Sequence, residues 1–421
     1  MRQRIKAGLR ALAGVSVMGG VLAACGTTAE PGIAPDSQAL TARDVPGGPA
    51  FGDGGVPAFY TSITTAPPQP GVLLAQEPLE AEKSLPSAGS AVRILYSSLD
   101  GIGGRAPVTV SGALFLPRGE APAGGWPLVA WAHGTVGVAD VCAPSFNPRS
   151  ARDRAYLGHW LDQGYAVVAS DYQGLGVPGG HPYLATRPQA WSVLDSIRAV
   201  QGGAFPVARP VVIVGQSQGG QSAIAAAGLA GTYAPELDLR GTVATGAPFF
   251  QAGAPLTPPP GDAVTPITPY TVLVLSLARY LEPGFDPQSV LTPKGAELFQ
   301  MSMTSCYGPM VRKVMEEQIS WGAVFARDPL PPIAGHSSRI AYETLALSRP
   351  LFMGTGGRDI DVAPDGQRQL ARDACRAGTN VTFRFYPELD HSGAVNGSLP
   401  DSTPFVRALF AGETVTGSCP L

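Results

Sequence analysis

The sequence predicts an α/β fold: a mainly parallel β-sheet flanked by helices and interrupted by a helical insertion. Three observations point to it. Apolar, strand-like runs at 127–132, 165–169, 211–214 and 241–245 alternate with helical stretches at 150–163, 186–200 and 220–230, and such alternation builds a parallel sheet covered on both faces. The alternation stops at about 249 and resumes after 347 with runs at 350–353 and 381–386. A chain of 421 residues, 44% of them hydrophobic, can bury one large core and still carry an insertion.

At the N-terminus, MRQRIKAGLR carries four positive charges and no acid, and an apolar stretch follows to Ala24. That pattern is an export signal over 1–24, too short to span a bilayer as a mature helix. It ends in Leu22-Ala23-Ala24-Cys25, which resembles the bacterial lipoprotein signal, with Cys25 lipidated and anchored in the cell envelope. Ordinary cleavage near the Ala-Ala pair, giving a secreted soluble protein, is the alternative. Residues 25–70 are crowded with Gly, Pro, Ala and Thr and read as a flexible tether, ordered near Phe59-Tyr60.

The core is expected over 71–248 and 348–421. Strand-like runs at 91–97 and 108–116, joined by the turn-rich Asp100-Gly101-Ile102-Gly103-Gly104, predict an antiparallel edge. The run at 211–214 precedes Gly215-Gln216-Ser217-Gln218-Gly219 and then a helix of small residues. The insertion, 249–347, opens with a Pro-rich linker (Pro255, Pro258, Pro259, Pro260, Pro266, Pro269). It continues through the apolar YTVLVLSLARYL at 270–281 and a helical segment at 293–325, and reads as a helical cap.

Charge and cysteine usage narrow the function. Removal of 1–24 takes away Arg2, Arg4, Lys6 and Arg10 and no carboxylate, moving the net charge from −3 to −7, so nucleic acid is not an expected partner. With Cys25 committed to a lipid, Cys142, Cys306, Cys375 and Cys419 remain in an exported chain, and four cysteines in an oxidising compartment predict two disulfides. There is no C-x-x-C pair and the five histidines are scattered, so neither a metal site nor a cofactor is implied.

Strand, G-x-S-x-G and small-residue helix form the context of a nucleophile elbow, which holds Ser217 on a strained turn at the helix N-terminus. A serine hydroxyl needs a base and an orienting acid, and in such sheets these follow the C-terminal ends of strands. His159 lies in a predicted helix and His336 in the cap. His181, in the loop Gly179-Gly180-His181-Pro182-Tyr183, is expected at the pocket rim, and His133 in the turn that supplies oxyanion donors. His391, after the run 381–386, is left as the general base. Among acids after 350–353, Gly356-x-x-Asp359-x-x-Val362 favours Asp359, with Asp361 as competitor. The backbone N–H groups of Gln218 and of Gly134, with Thr135 next, are the candidate oxyanion donors.

Five segments together, WAHGTVGVADVCAPS (131–145), SDYQGLGVPGGHPYL (170–184), GQSQGG (215–220), GGRDIDV (356–362) and ELDHSG (388–393), resemble the secretory lipase family, the lipase A type enzymes of yeasts and their bacterial relatives. The resemblance runs from about residue 70, through PGVLLAQEPL, to the C-terminus. It implies an α/β-hydrolase fold with a helical cap between nucleophile and acid. It carries the triad onto Ser217, Asp359 and His391 and the oxyanion donors onto Gly134 and Gln218. It also selects the pairs Cys142 with Cys306 and Cys375 with Cys419 from the three possible pairings. Ala363, between Val362 and Pro364, departs from the family's acid loop.

The expected function is a serine ester hydrolase, a lipase or carboxylesterase acting on an ester or lipid substrate without a cofactor. Peptide cleavage or acyl transfer by the same triad is the alternative, and a non-catalytic binding module a further one. The oligomeric state is not legible. In the cap, the apolar run 270–281 and Met301, Met303, Met310 and Met315 suit either a satellite core or an acyl-chain channel. The channel reading names Phe249, Phe250, Leu277 and Met310 as its lining.

Overall fold

The structure is a computed structural model and describes residues 45–103, 106–253 and 258–421. Nine strands form one sheet: β1 Leu73–Pro78, β2 Ala88–Leu99, β3 Pro107–Pro117, β4 Trp126–Ala132, β5 Ala166–Ser170, β6 Val207–Gln216, β7 Asp238–Thr245, β8 Leu351–Gly356 and β9 Val381–Tyr386. Their order is β1-β2-β3-β5-β4-β6-β7-β8-β9. The β1–β2, β2–β3 and β3–β5 pairs are antiparallel. Every pair from β5 to β9 is parallel.

Side-chain alternation along each strand divides the core into two layers. Leu128 and Ala130 of β4 and Val211 and Ile213 of β6 face one cluster, where helices α2 (Thr186–Gly202) and α3 (Gln218–Tyr233) supply Leu194 and Ile224. Val129, Trp131, Val212 and Val214 face the other. There α1 (Ala151–Asp162, capped by the Ser150 hydroxyl accepting the Asp153 N–H at 3.1 Å) contributes Leu157 and Trp160. Strands buried on both sides read as continuous apolar runs, which explains why the sequence shows them.

Between β7 and β8 the cap is helical: α4 Ile267–Leu281, α5 Pro293–Ser302, α6 Tyr307–Glu316, α7 Trp321–Val324, α8 Pro331–Ala334 and α9 Ser337–Ile340. The single helical segment expected at 293–325 is thus three helices. Cys306 is extended ahead of α6, and Gln318 takes φ 50° after it, so the helical hydrogen-bond ladder cannot run through either point. The cap's apolar side chains cluster with Ile102, Val138, Tyr183 and Leu184 of the main body, and Leu277 and Met310, each fully buried, belong to that cluster. After β8 come α10 (Pro364–Arg376), α11 (Gly393–Gly397) and α12 (Leu399–Ala411).

Two expectations need correction. Cys25 and the first part of the expected tether lie outside the described residues, but 45–70 is not a free tether. Tyr60 is fully buried with its hydroxyl 2.9 Å from Ser145 Oγ, Gly54 N–H donates to Asp140 Oδ2 at 2.8 Å, and Arg279 of α4 donates to the Ala50 carbonyl at 2.8 Å. The order expected near Phe59-Tyr60 extends along the stretch, from the Pro46 carbonyl, which accepts the Gly180 N–H at 2.7 Å, to the Gln69 carbonyl, which accepts the Ser97 hydroxyl at 2.6 Å. The edge also gains β1, a short strand ending in Glu77-Pro78.

Disulfides join Cys142 to Cys306 and Cys375 to Cys419. The first ties the 3-10 turn Asp140–Cys142 to the start of α6, and the second clips the C-terminal tail onto α10.

Candidate active site

Parallel pairing of β6, β7, β8 and β9 brings their C-terminal ends side by side, and the singled-out residues follow those ends. Ser217 lies between β6 and α3 with φ 58° and ψ −124°, a left-handed conformation that costs a non-glycine residue about 1–3 kcal/mol. The Ser217 N–H donates to the Thr245 carbonyl at 2.9 Å, so the end of β7 fixes the turn. Gly219 makes the turn possible, since a Cβ there would collide with the carbonyls of Ala132 and His133.

The next residue on β7's side, Gly246, takes φ +59°, and a Cβ on it would sit 2.8–2.9 Å from the His391 ring. One segment therefore holds the serine turn by residue 245 and seats the imidazole against residue 246. His391 Nδ1 donates to Asp359 Oδ2 at 2.7 Å. Its Nε2 is buried and takes no hydrogen bond from the described residues.

The two acids are held differently. Asp359 is 4% exposed and fully engaged. Oδ2 also accepts from Gln367 Nε2 at 2.8 Å, and Oδ1 accepts the N–H groups of Asp361 (3.0 Å) and Val362 (2.8 Å). Four donors orient it. Asp361 is half-buried and instead accepts the Tyr270 hydroxyl of α4 at 3.1 Å. Gln367 and Gly246 are missed by sequence reasoning. A glutamine on the inward face of an amphipathic helix is a faint signal for the first, and nothing marks Gly246 among 53 glycines.

Gly134 adjoins the turn, where a Cβ on it would meet Gln216 Oε1 at 2.5 Å and Ser217 Cβ at 3.5 Å. Thr135 and Gln218, with Ser217, line a cavity of about 340 Å³. The rest of its wall is largely apolar and includes Phe249, Phe250, Val274, Trp321 and Ile333. Leu277 and Met310 are not part of it. The first half of α4 (Ile267, Tyr270, Thr271, Val274) covers the cavity, and Leu277 lies in the turn beyond, turned into the cap's apolar cluster.

The other histidines are accounted for. His159 bonds Thr403 (2.8 Å) and His336 bonds Glu282 on the cap (2.8 Å). The buried His133 ring is flanked by the Gly134 and Asp171 carbonyls. His181 is not at a rim: it is buried below the turn, with Nδ1 donating to the Gln173 carbonyl at 2.7 Å and Nε2 accepting from the Gln218 amide at 3.2 Å. Burial pushes its pKa down to about 4. Because the folded pKa lies below the ordinary value near 6.5, the stabilisation is complete above pH 6.5 and is lost as pH falls toward 4, by about 3 kcal/mol. Urea unfolding across this window is expected to show that loss in the native chain and a shallower one in His181→Asn; equal slopes would refute it.

A family model described as secretory lipase matches residues 150–324. Lipase A of Moesziomyces aphidis is 24% identical over 309 residues, 66% of this chain and 64% of that protein, so the chain spans just under two thirds of its length. A probable inactive lipase of Mycobacterium tuberculosis is 28% identical over 182 residues, 40% of this chain and 39% of that one. Among solved structures, lipase A of Candida antarctica in its closed state superposes with a TM-score of 0.67 at 20% identity, covering 89% of this chain and 88% of that one. Similarity at that identity shows the fold, an α/β-hydrolase fold. Through that fold and the match over 150–324, the chain is similar to the secretory lipases of the lipase A type.

Proposed function

We propose that this chain is a serine ester hydrolase that works through an acyl-enzyme. The observation that carries the reading is the site itself: a serine on a strained turn faces an apolar cavity, and a buried His391–Asp359 pair closes against the same strand end. In this reading His391 Nε2 takes the Ser217 proton during attack and returns it to the leaving alcohol, and Asp359 fixes the tautomer and balances the transient imidazolium. Backbone N–H groups of Gln218 and the Gly134-Thr135 turn receive the oxyanion. The kinship with a protein named an inactive lipase favours a second reading, a catalytically silent member.

Fluorophosphonate labelling separates the two: the native chain is expected to label and Ser217→Ala not to. Asp359→Asn is expected to lower p-nitrophenyl ester turnover by about four orders of magnitude through the wrong imidazole tautomer. A larger loss in Asp361→Asn would reverse the assignment of the acid.

The cavity's apolar wall suits an acyl chain, with each buried methylene contributing up to about 0.8 kcal/mol. A p-nitrophenyl decanoate is therefore expected to exceed the acetate by well over tenfold in kcat/KM. Val274→Asn should shrink that ratio, whereas Leu277→Asn should lower the chain's stability instead. An acetate-preferring profile would mark a short-chain esterase.

Two disulfides and the match to a secretory lipase model support an exported protein, and we infer further that Cys25 carries the lipid anchor. Cys25→Ala should then move the protein from the membrane to the soluble fraction with specific activity retained, and a free thiol at Cys25 in the mature protein would exclude the anchor.

A further inference from the structure

The cavity beside Ser217 is apolar except at a few points, and one of these has no part in the chemistry described above. Asp361 places a half-buried carboxylate on the cavity surface. It does not orient His391, because Asp359 does so with four donors of its own. Yet one carboxylate oxygen of Asp359, one of Asp361 and one ring nitrogen of His391 lie within 4.8 Å of one another.

Asp361 is also held in place. Its Oδ1 accepts the Tyr270 hydroxyl, and the Tyr270 ring is stacked on Tyr307 with centroids 4.4 Å apart. Oδ2 takes no hydrogen bond from the described residues. That oxygen is accessible and free to accept from a donor that enters the cavity.

The position of that acceptor relative to the reaction is constrained. His391 Nε2 must deliver a proton to the alcohol oxygen as it leaves, so the alcohol part of the substrate lies on the side of the acid–base loop. The acyl chain then takes the apolar wall of Phe249, Val274, Trp321 and Ile333. Asp361, in that loop and next to the imidazole, stands beside the alcohol part.

We propose that Asp361, held by Tyr270, forms an alcohol subsite that selects esters whose alcohol carries a free hydroxyl on the second or third carbon from the ester oxygen: partial esters of polyols. The inference rests on the ester-hydrolase reading and names its substrate class. The hydroxyl donates to Asp361 Oδ2. Ser217 Oγ bonds to the acyl carbon, the bond from that carbon to the alcohol oxygen breaks, and the proton lost by Ser217 leaves through His391 on the released polyol. Water then cleaves the acyl-enzyme to the free acid. An anionic alcohol part is repelled by the same carboxylate.

The test holds the acyl group constant. Propyl, 2,3-dihydroxypropyl and 2-carboxyethyl decanoate compete in the same detergent micelles with the full chain, so that enzyme partition is common to all three. The dihydroxypropyl ester is expected to exceed the propyl ester by at least about tenfold in kcat/KM, the scale of one hydrogen bond to a charged group, and the carboxyethyl ester to fall below both. Asp361→Asn and Asp361→Ala should bring the first ratio to within about threefold and raise the carboxyethyl ester relative to propyl. A flat native profile overturns the subsite, as does a ratio unmoved in both variants. A uniform loss of about four orders of magnitude on all three esters overturns it too, since that would make Asp361 the acid that orients His391. Absence of both turnover and fluorophosphonate labelling in the native chain is the distinct outcome in which the ester-hydrolase reading itself fails.

Discussion

Ser217 keeps a backbone conformation that a serine does not adopt by itself, and much of the architecture can be read as what enforces it. Strand β6 is paired on both sides up to the turn, Ala132 with Gly215 and Gln216 with Thr245, so the chain enters the turn with no freedom to relax. Helix α3 leaves it with its first two turns buried. The strain therefore sits at the middle of the sheet, where the cost of distorting the neighbours exceeds the strain itself. The same strand that restrains Ser217 ends in the glycine that admits His391, so serine and imidazole are positioned by one rigid body rather than by two independent loops.

The sequence makes legible what depends on period and order along the chain. Runs buried on both faces are apolar without interruption, and their alternation with helices carries the sheet, the serine turn and the ends of β8 and β9 where Asp359 and His391 lie. What it leaves out depends on facing. The apolar positions of α4 are visible, but Val274 toward the cavity and Leu277 into the cap core differ only by where neighbouring helices stand. His181 is a loop histidine by sequence and a buried neutral ring by structure, because Gln173 and Gln218 come to it from segments far apart in the chain. Strand β1 is short, carries a glutamate and ends in proline, and so has little strand signal. Helix α10 is strongly charged and shows its helical period only through Leu370, Ala371 and Ala374 on the buried side.

The cap is a small folded layer rather than a flap. Its helices bury Leu273, Leu277, Leu298, Phe299 and Met310 in a cluster that Ile102, Val138, Tyr183 and Leu184 of the main body complete. It is also held to the main body by several hydrogen bonds: Tyr270 to Asp361, Arg279 to the Ala50 carbonyl, Gln221 to the Ile340 carbonyl and the Tyr307 N–H to the Val136 carbonyl. A hydrogen bond of this kind contributes about 0.5–3 kcal/mol.

The bond between Cys142 and Cys306 changes what motion those contacts can permit. It keeps the two Cα atoms 5.4 Å apart, at the point where the chain leaves the serine's side of the sheet and α6 begins. The crosslink keeps the start of α6 beside the turn after β4 even where the non-covalent contacts give way, and an oxidising compartment maintains it.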